Sequence, residues 1–312
     1  MNSPPLLLIH GGAGNIIANK IPQNLTEQYS QSLQSILDHG KSLLQKNVDV
    51  VSVVSTVVSL LENDPLFNAG KGSVLNSEKE ILMDAALMCG KTLKAGCLSN
   101  VSKIKNPIFL AKKILEKSPH VFLCSEGAES FAKDFSDIEL ASIDYFLTDL
   151  RVKQLESAQL KNDISLDYDK DETWDKKHGT VGAVALDTNG NIAAATSTGG
   201  LTNKKPGRVS DSCIIGAGTL ADNKSIALSA TGTGDVFIKA RFASLVENHY
   251  LQTQNLQEAL EIALNSVKEL NGEGGAIAIS RTGDYALNFN TKGMFRALWS
   301  KRDNIQEIAM FS

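Results

Sequence analysis

The chain opens on a short apolar run, Leu6 to Ile9, that breaks at once into His10-Gly11-Gly12-Ala13-Gly14. The run predicts a first strand and the glycines a turn-rich segment. From Leu25, apolar residues recur at Tyr29, Leu33, Ile36, Leu37, Leu43 and Leu44, the spacing of a helix with one buried face. Asp49 stands where an N-cap belongs, and the valine-rich stretch after it runs through Leu61 to a stop at Asp64-Pro65. That stretch is too long for an ordinary strand, so a second helix is predicted. A glycine-bearing loop, Asn68 to Gly72, leads to strand-like segments ending near Cys89. Helix, strand and helix are expected over Pro107 to Phe135, with His120 to Cys124 as the strand.

The texture changes near Thr148. From there to His178 charged residues dominate and apolar periodicity fades, which predicts a partly helical start and then a mobile linker. Alternation takes over afterwards. Val181 to Leu186 and Ile192 to Thr198 flank Thr188-Asn189-Gly190, a strong hairpin signal. A strand over Ile226 to Ala230, a helix from Asp235 to about Tyr250 and another from about Asn255 to Leu270 come next. A final hairpin pairs Ala276–Ser280 with Tyr285–Phe289.

Composition narrows the class. The 312 residues are 42% hydrophobic and 21% charged, the texture of a globular α/β chain with a full core and not of a disordered one. Lys plus Arg number 31 against 35 Asp plus Glu, a net charge of −4 that argues against nucleic acid or an anionic membrane as partner. No apolar run approaches the ~20 residues of a spanning helix. The N-terminus lacks a basic region and reads as a strand rather than a signal peptide. Cys89, Cys97, Cys124 and Cys213 show no CxxC spacing and read as small buried hydrophobes in a reducing compartment. A cytoplasmic location is expected.

Three glycine-rich loops, His10 to Gly14, Thr198 to Gly200 and Thr231 to Gly234, let backbone amides approach a ligand closely. Each alone is an ordinary tight turn, and none fits a Walker A or dinucleotide pattern, so no cofactor is expected. The junction at Gly179-Thr180 is less ordinary, because it joins the linker to a strand. Gly179 tolerates strained dihedrals, which leaves its carbonyl open to the Thr180 hydroxyl. Cleavage there would free an α-amine with an ordinary pKa near ~7.7–8.0, suited to act as base for its own hydroxyl. A plain buried strand threonine is the simpler reading of that residue taken alone.

The surrounding motifs change the weighting. Gly179-Thr180-Val181-Gly182-Ala183-Val184-Ala185-Leu186-Asp187, Thr196-Ser197-Thr198-Gly199-Gly200, Gly207-Arg208-Val209-Ser210-Asp211-Ser212 and Gly216-Ala217-Gly218 together resemble the plant-type L-asparaginases. These are the isoaspartyl peptidases of the N-terminal-nucleophile hydrolases. The resemblance extends to His10–Gly14, Phe67–Ser73, Met83–Ala86, Thr231–Gly234, and Phe289-Asn290-Thr291 with Gly293-Met294, nearly the whole chain apart from the linker.

The resemblance implies an α+β, four-layer αββα sandwich: two stacked, mainly antiparallel sheets between helical layers, built from both cleavage products. Residues 1–179, with a linker over about 148–179, would form the α subunit, and 180–312 the β subunit, the two making one structural domain. Thr180 would be the nucleophile and Thr198 would orient it. Arg208 would hold the substrate α-carboxylate and Asp211 its α-ammonium. Thr231 and the Gly232 amide would form the oxyanion hole, with the Gly234 carbonyl helping to seat the amino group. Asn68 is expected near the Gly179-Thr180 cleavage site. The implied substrates are β-aspartyl dipeptides and the side-chain amide of L-asparagine. A dimer of αβ units is implied, as is a structural sodium on the backbone carbonyls of Leu61, Glu62, Asp64, Phe67, Ala69 and Lys71. No catalytic cofactor is implied.

This chain departs from the family where Ser210 replaces a usual glycine and Cys213 a frequent proline. Ser210 would narrow or re-shape the α-carboxylate pocket. Two other readings compete: a serine hydrolase using Ser197 in a loose nucleophile elbow, and an uncleaved homologue acting as a binding module. The hairpin supplies a geometric test. A two-residue loop at Asn189-Gly190 puts Thr180 opposite Gly199 and turns Thr198 to the other face. A three-residue loop, with Asp187 opposite Asn191 and Gly190 at positive φ, puts Thr180 opposite Thr198. Generic turn rules favour the first loop and the chemistry requires the second, so the second is expected.

Overall fold

The computed structural model describes residues 3–160 and 179–311. Twelve strands are found among the described residues, in two sheets. The strands are β1 (Leu6–Gly14), β2 (Met83–Cys89), β3 (Ala95–Val101), β4 (Phe122–Cys124), β5 (Val181–Leu186) and β6 (Ile192–Thr198). They continue with β7 (Thr219–Ala221), β8 (Ile226–Gly232), β9 (Gly274–Ser280), β10 (Tyr285–Phe289), β11 (Gly293–Ser300) and β12 (Ile305–Phe311). The helices are α1 (Gln23–Gln45), α2 (Val50–Asn63), α3 (Pro107–Lys117), α4 (Ser125–Ala132), α5 (Ile143–Phe146), α6 (Asp149–Leu160), α7 (Gly234–Ala240), α8 (Phe242–Thr253) and α9 (Leu256–Glu269).

The larger sheet runs β12-β11-β1-β5-β6-β2-β3-β4, antiparallel except for the β3–β4 pair, and the smaller runs β10-β9-β8-β7, antiparallel throughout. Strand alternation sorts the core into two clusters. Leu7, Ile9, Val181, Ala183 and Ala185 point from the large sheet into a core shared with α1, α2 and α3. Leu6, Leu8, Val184 and Leu186 point the other way, into a second core shared with the small sheet and with α8 and α9. A sheet buried on both faces has to be apolar on both, which is why its strands read as continuous apolar runs. The result is the αββα sandwich.

The two segments that flank Gly179-Thr180 are interleaved in the large sheet. Strand β1 lies between β11 and β5, and β2 lies beside β6. The small sheet, by contrast, comes wholly from residues 219–289, so only one of the two sheets draws on both segments.

Several elements differ from expectation. The glycine-rich His10–Gly14 segment is not a turn but the second half of β1, with a register shift between His10 and Gly12. Glycine serves close approach there. A Cβ on Gly12, which has φ +113°, would lie 2.6 Å from the Gly179 nitrogen. The expected single helix from Asp235 is two, α7 and α8, broken at Arg241 with φ 52°. The break is tertiary in origin, because the amides of Ala243 and Ser244 donate to the carbonyls of Ala217 and Gly216 instead of continuing α7. Strands β3, β7, β11 and β12 are additional to those the pattern predicts, and the hairpin of β9 and β10 is therefore not the last. Cys89, Cys97 and Cys213 are buried, but Cys124 is exposed. The linker expected beyond α6 lies, from residue 161 to 178, outside the described residues.

Candidate active site

The hairpin of β5 and β6 takes the three-residue loop. Leu186 pairs with Ile192, the Asp187 amide donates to the Asn191 carbonyl at 3.0 Å, and Gly190 has φ 78°. The Asp187 carboxylate accepts from the amides of Asn189 and Asn191 at 2.8 and 2.9 Å, which holds the wider loop against the generic two-residue turn. In this register even-numbered residues of both strands face the small sheet. Thr180 and Thr198 share that face, and the Thr180 hydroxyl donates to the Thr198 hydroxyl at 3.1 Å. The Thr198 oxygen also accepts from the Gly200 amide at 3.0 Å, and Ser212 Oγ lies 3.3 Å from Thr180 Oγ1.

Ser197 points the opposite way. Its hydroxyl donates to Glu62 at 2.7 Å on the α2 side of the sheet, where no histidine among the described residues hydrogen-bonds it. Burial pushes the Glu62 carboxyl up to about 8, partly offset by hydrogen bonds from Ser197, the Ile108 amide and Asn106. A serine nucleophile at that position has neither access nor base, which removes the serine-hydrolase reading.

Gly179, Thr180, Thr198, Arg208, Ser210, Asp211 and Gly232 line one pocket. Thr231 is fully buried and its hydroxyl accepts from the Ala13 amide at 3.3 Å; a Cβ on Gly179 would lie 2.6 Å from that hydroxyl. Gly179 is thus held between the Gly12 backbone and Thr231. Gly234 opens α7 against Asp211 and Arg208, since a Cβ there would lie 2.5 Å from Asp211 Oδ1 and 2.9 Å from Arg208 Nη2.

Arg208 makes no hydrogen bond to Asp211; its Nη2 donates to Asp235 Oδ2 at 2.9 Å near the surface. Asp211 is 2% exposed, and burial raises its carboxyl to about 7 despite the Arg208 charge nearby. Arg208 Nε, Ser210 Oγ and Asp211 Oδ2 are buried polar atoms without a partner.

Asn68 lies against the Thr198–Gly200 turn that lines the pocket. Its amide donates to the Gly200 carbonyl at 2.8 Å and accepts from the Val74 amide at 3.0 Å, while its own carbonyl accepts from Gly199. It clamps the turn behind Thr198 and makes no hydrogen bond to Gly179 or Thr180. His10 is the residue that sequence reasoning missed as a site member. Its Nδ1–H donates to the Thr180 carbonyl at 3.0 Å, and its Nε2 lies 2.8 Å from Ser229 Oγ. Burial lowers its pKa to about 3, so the ring is neutral, and a ring donating from Nδ1 accepts at Nε2 from Ser229. Its position at the head of His10-Gly11-Gly12 was the available signal.

In the loop after α2, the carbonyls of Leu61, Glu62 and Asp64 already accept from the amides of Asp64, Lys71 and Phe67. A carbonyl has a second lone pair, so the expected sodium ligands keep the capacity to hold a cation. Among the described residues, no cluster of three or more His, Cys, Asp or Glu side chains is placed to hold a metal.

A buried threonine at the end of a strand, its hydroxyl against a second threonine in the cleft of an αββα sandwich, defines the class as an N-terminal-nucleophile hydrolase. The profile described as asparaginase matches residues 3–309, and the chain belongs to that family. It is 44% identical over 299 residues to the isoaspartyl peptidase of Escherichia coli, covering 94% of this chain and 92% of that protein. It is 41% identical over 291 residues to the isoaspartyl peptidase/L-asparaginase of Mus musculus, covering 93% and 86%. A putative isoaspartyl peptidase/L-asparaginase of Dictyostelium discoideum is 40% identical over 328 residues.

Proposed function

We propose that the protein is an autoproteolytically activated threonine hydrolase that cleaves β-aspartyl dipeptides and the side-chain amide of L-asparagine. The 3.1 Å hydrogen bond between Thr180 and Thr198, within a pocket that also contains Arg208 and Asp211, carries this reading. In maturation, Thr180 Oγ1 attacks the Gly179 carbonyl, the acyl group moves from nitrogen to oxygen, and water hydrolyses the ester. This leaves residues 1–179 and 180–312 as two chains of one domain. The interleaving of β1 and β2 among β5, β6 and β11 supports their staying together.

In turnover, the freed Thr180 amine takes the proton of its own hydroxyl as the oxygen attacks the substrate β-carbonyl. The Thr231 hydroxyl and Gly232 amide receive the oxyanion, Thr198 orients the nucleophile, and the protonated amine returns the proton to the leaving amine. Water then releases aspartate from the ester on Thr180. Arg208 holds the α-carboxylate through its planar fork, and Asp211 with the Gly234 carbonyl holds the α-ammonium. No step in this sequence requires a cofactor. A sodium on the Leu61–Lys71 carbonyls would brace the loop that carries Asn68, and replacing Na⁺ by choline should then lower the melting temperature.

The partner is a small zwitterionic substrate, and the assembly is a dimer of αβ units in the cytoplasm. No described helix is long and apolar enough to cross a membrane. Purified protein should run as two fragments on a denaturing gel, the smaller beginning Thr-Val-Gly-Ala-Val, and should hydrolyse β-Asp-Leu and L-asparagine. A persistent single chain inert to both substrates would leave the binding-module reading instead.

A further inference from the structure

We propose that Ser210 is a specificity-determining residue whose hydroxyl donates to the substrate α-carboxylate beside Arg208; the inference rests on the β-aspartyl reading above. Ser210 lines the pocket, is 2% exposed, and its Oγ is buried without a partner. Its backbone is committed elsewhere. The amide donates to Asp84 Oδ2 at 2.8 Å, and the carbonyl accepts from Cys213 Sγ at 3.4 Å. The hydroxyl is therefore the one donor this residue has left for a ligand.

The choice of carboxylate over ammonium follows from counting donors. A carboxylate has about four lone-pair sites on two oxygens and accepts only. Arg208 is the cation of this wall, and its Nη2 is already engaged with Asp235. One guanidinium edge leaves the carboxylate short of donors. The ammonium has the opposite need, for acceptors, and Asp211 Oδ2 stands open on the same wall to meet it. Ser210 supplies the missing donor, and a hydrogen bond from a hydroxyl to an ionised group is stronger than one between neutral groups.

The backbone of Ser210, at φ −86° and ψ 164°, is extended and open to alanine and glycine without strain. The test titrates matured wild type, Ser210→Ala and Ser210→Gly with L-aspartate and with its α-amide. Both variants should bind L-aspartate on the order of tenfold more weakly, the effect of one hydrogen bond to a charged group, and lose much less affinity for the α-amide. KM for L-asparagine and for β-Asp-Leu should rise by the same factor with kcat nearly constant, because the two substrates share this head group. Unchanged L-aspartate affinity, equal losses for acid and amide, or a KM change for one substrate alone would overturn the assignment. Failure of the wild type to bind L-aspartate would instead sink the β-aspartyl reading, and the Ser210 role with it.

Discussion

The two walls of the pocket differ in how far their polar groups are satisfied before any ligand arrives. On the Thr180 wall, the Thr180 hydroxyl meets Thr198 and Ser212, its carbonyl meets His10, and Thr198 meets the Gly200 amide. On the wall formed by residues 208–211, Arg208 Nε, Ser210 Oγ and Asp211 Oδ2 are buried and unpaired. Each such atom costs about 1–3 kcal/mol of desolvation that a matching ligand can recover. A completed network fixes the reacting atom in place before the reaction, whereas an open one stores affinity for a charged head group. On the proposed mechanism, positioning and recognition are thus separated within one cleft.

The sharpest way to break the contrast is at the closed wall. Thr180→Ala should remain a single chain, and its loss of kcat should be on the order of 10⁶-fold, as for removal of other covalent nucleophiles, by progress curves with L-asparagine. Retained turnover would mean that the completed network serves only stability.

At the open wall the effect should be smaller and should fall on binding. Arg208→Lys replaces a planar fork by a point charge and should cost about 10²-fold in kcat/KM, in line with truncating one partner of a buried charge contact. Near-wild-type kcat/KM would place the α-carboxylate elsewhere.

A milder probe is pH. Asp211 must be ionised to hold an ammonium, and its carboxyl in the free protein titrates at about 7 because of burial. L-aspartate affinity should therefore be full above pH 7 and fall as pH drops through it, approaching tenfold per unit. An affinity flat from pH 8 to 6 would remove Asp211 from ammonium recognition. The same raised value has a stability consequence of fixed sign. An acid whose folded pKa lies above its ordinary one contributes stability below that ordinary value, lost as pH rises through the folded pKa. Glu62, raised to about 8, acts in the same direction, so unfolding midpoints of the ligand-free protein should decline between about pH 4.5 and 8 through these two groups.

The smallest effect on catalysis is expected one residue from Thr198. Ser197→Ala removes the donor to Glu62 on the far face of β6 and should leave kcat unchanged. Denaturant titration should show a stability loss of about 1–3 kcal/mol from the buried acceptor left with fewer partners. A collapse of kcat would couple the two faces of the strand.

Much of this was legible before the structure because it is local. The three-and-four spacing from Leu25 and the Asp49 cap produce α1 and α2, and the Asp49 side chain does accept from the Ser52 amide. Thr180 and Thr198 lie on one face because their numbers have the same parity across a three-residue loop, a relation that needs only the strand period of two and the loop length. Other features depended on distant chain. The Ala217 and Gly216 carbonyls break α7 from α8, a contact no periodicity within 234–253 encodes. Parity alone says that Ser197 and Thr198 point opposite ways. Only the packing of α2 against one face and the small sheet against the other decides that Ser197 meets Glu62 and Thr198 meets the pocket. The same holds for His10 beneath Thr180 and for the open atoms of 208, 210 and 211. Periodicity is set by each residue's own backbone geometry, whereas which faces meet, and which polar atoms remain without partners, is set by the closing of two sheets over segments far apart in the chain.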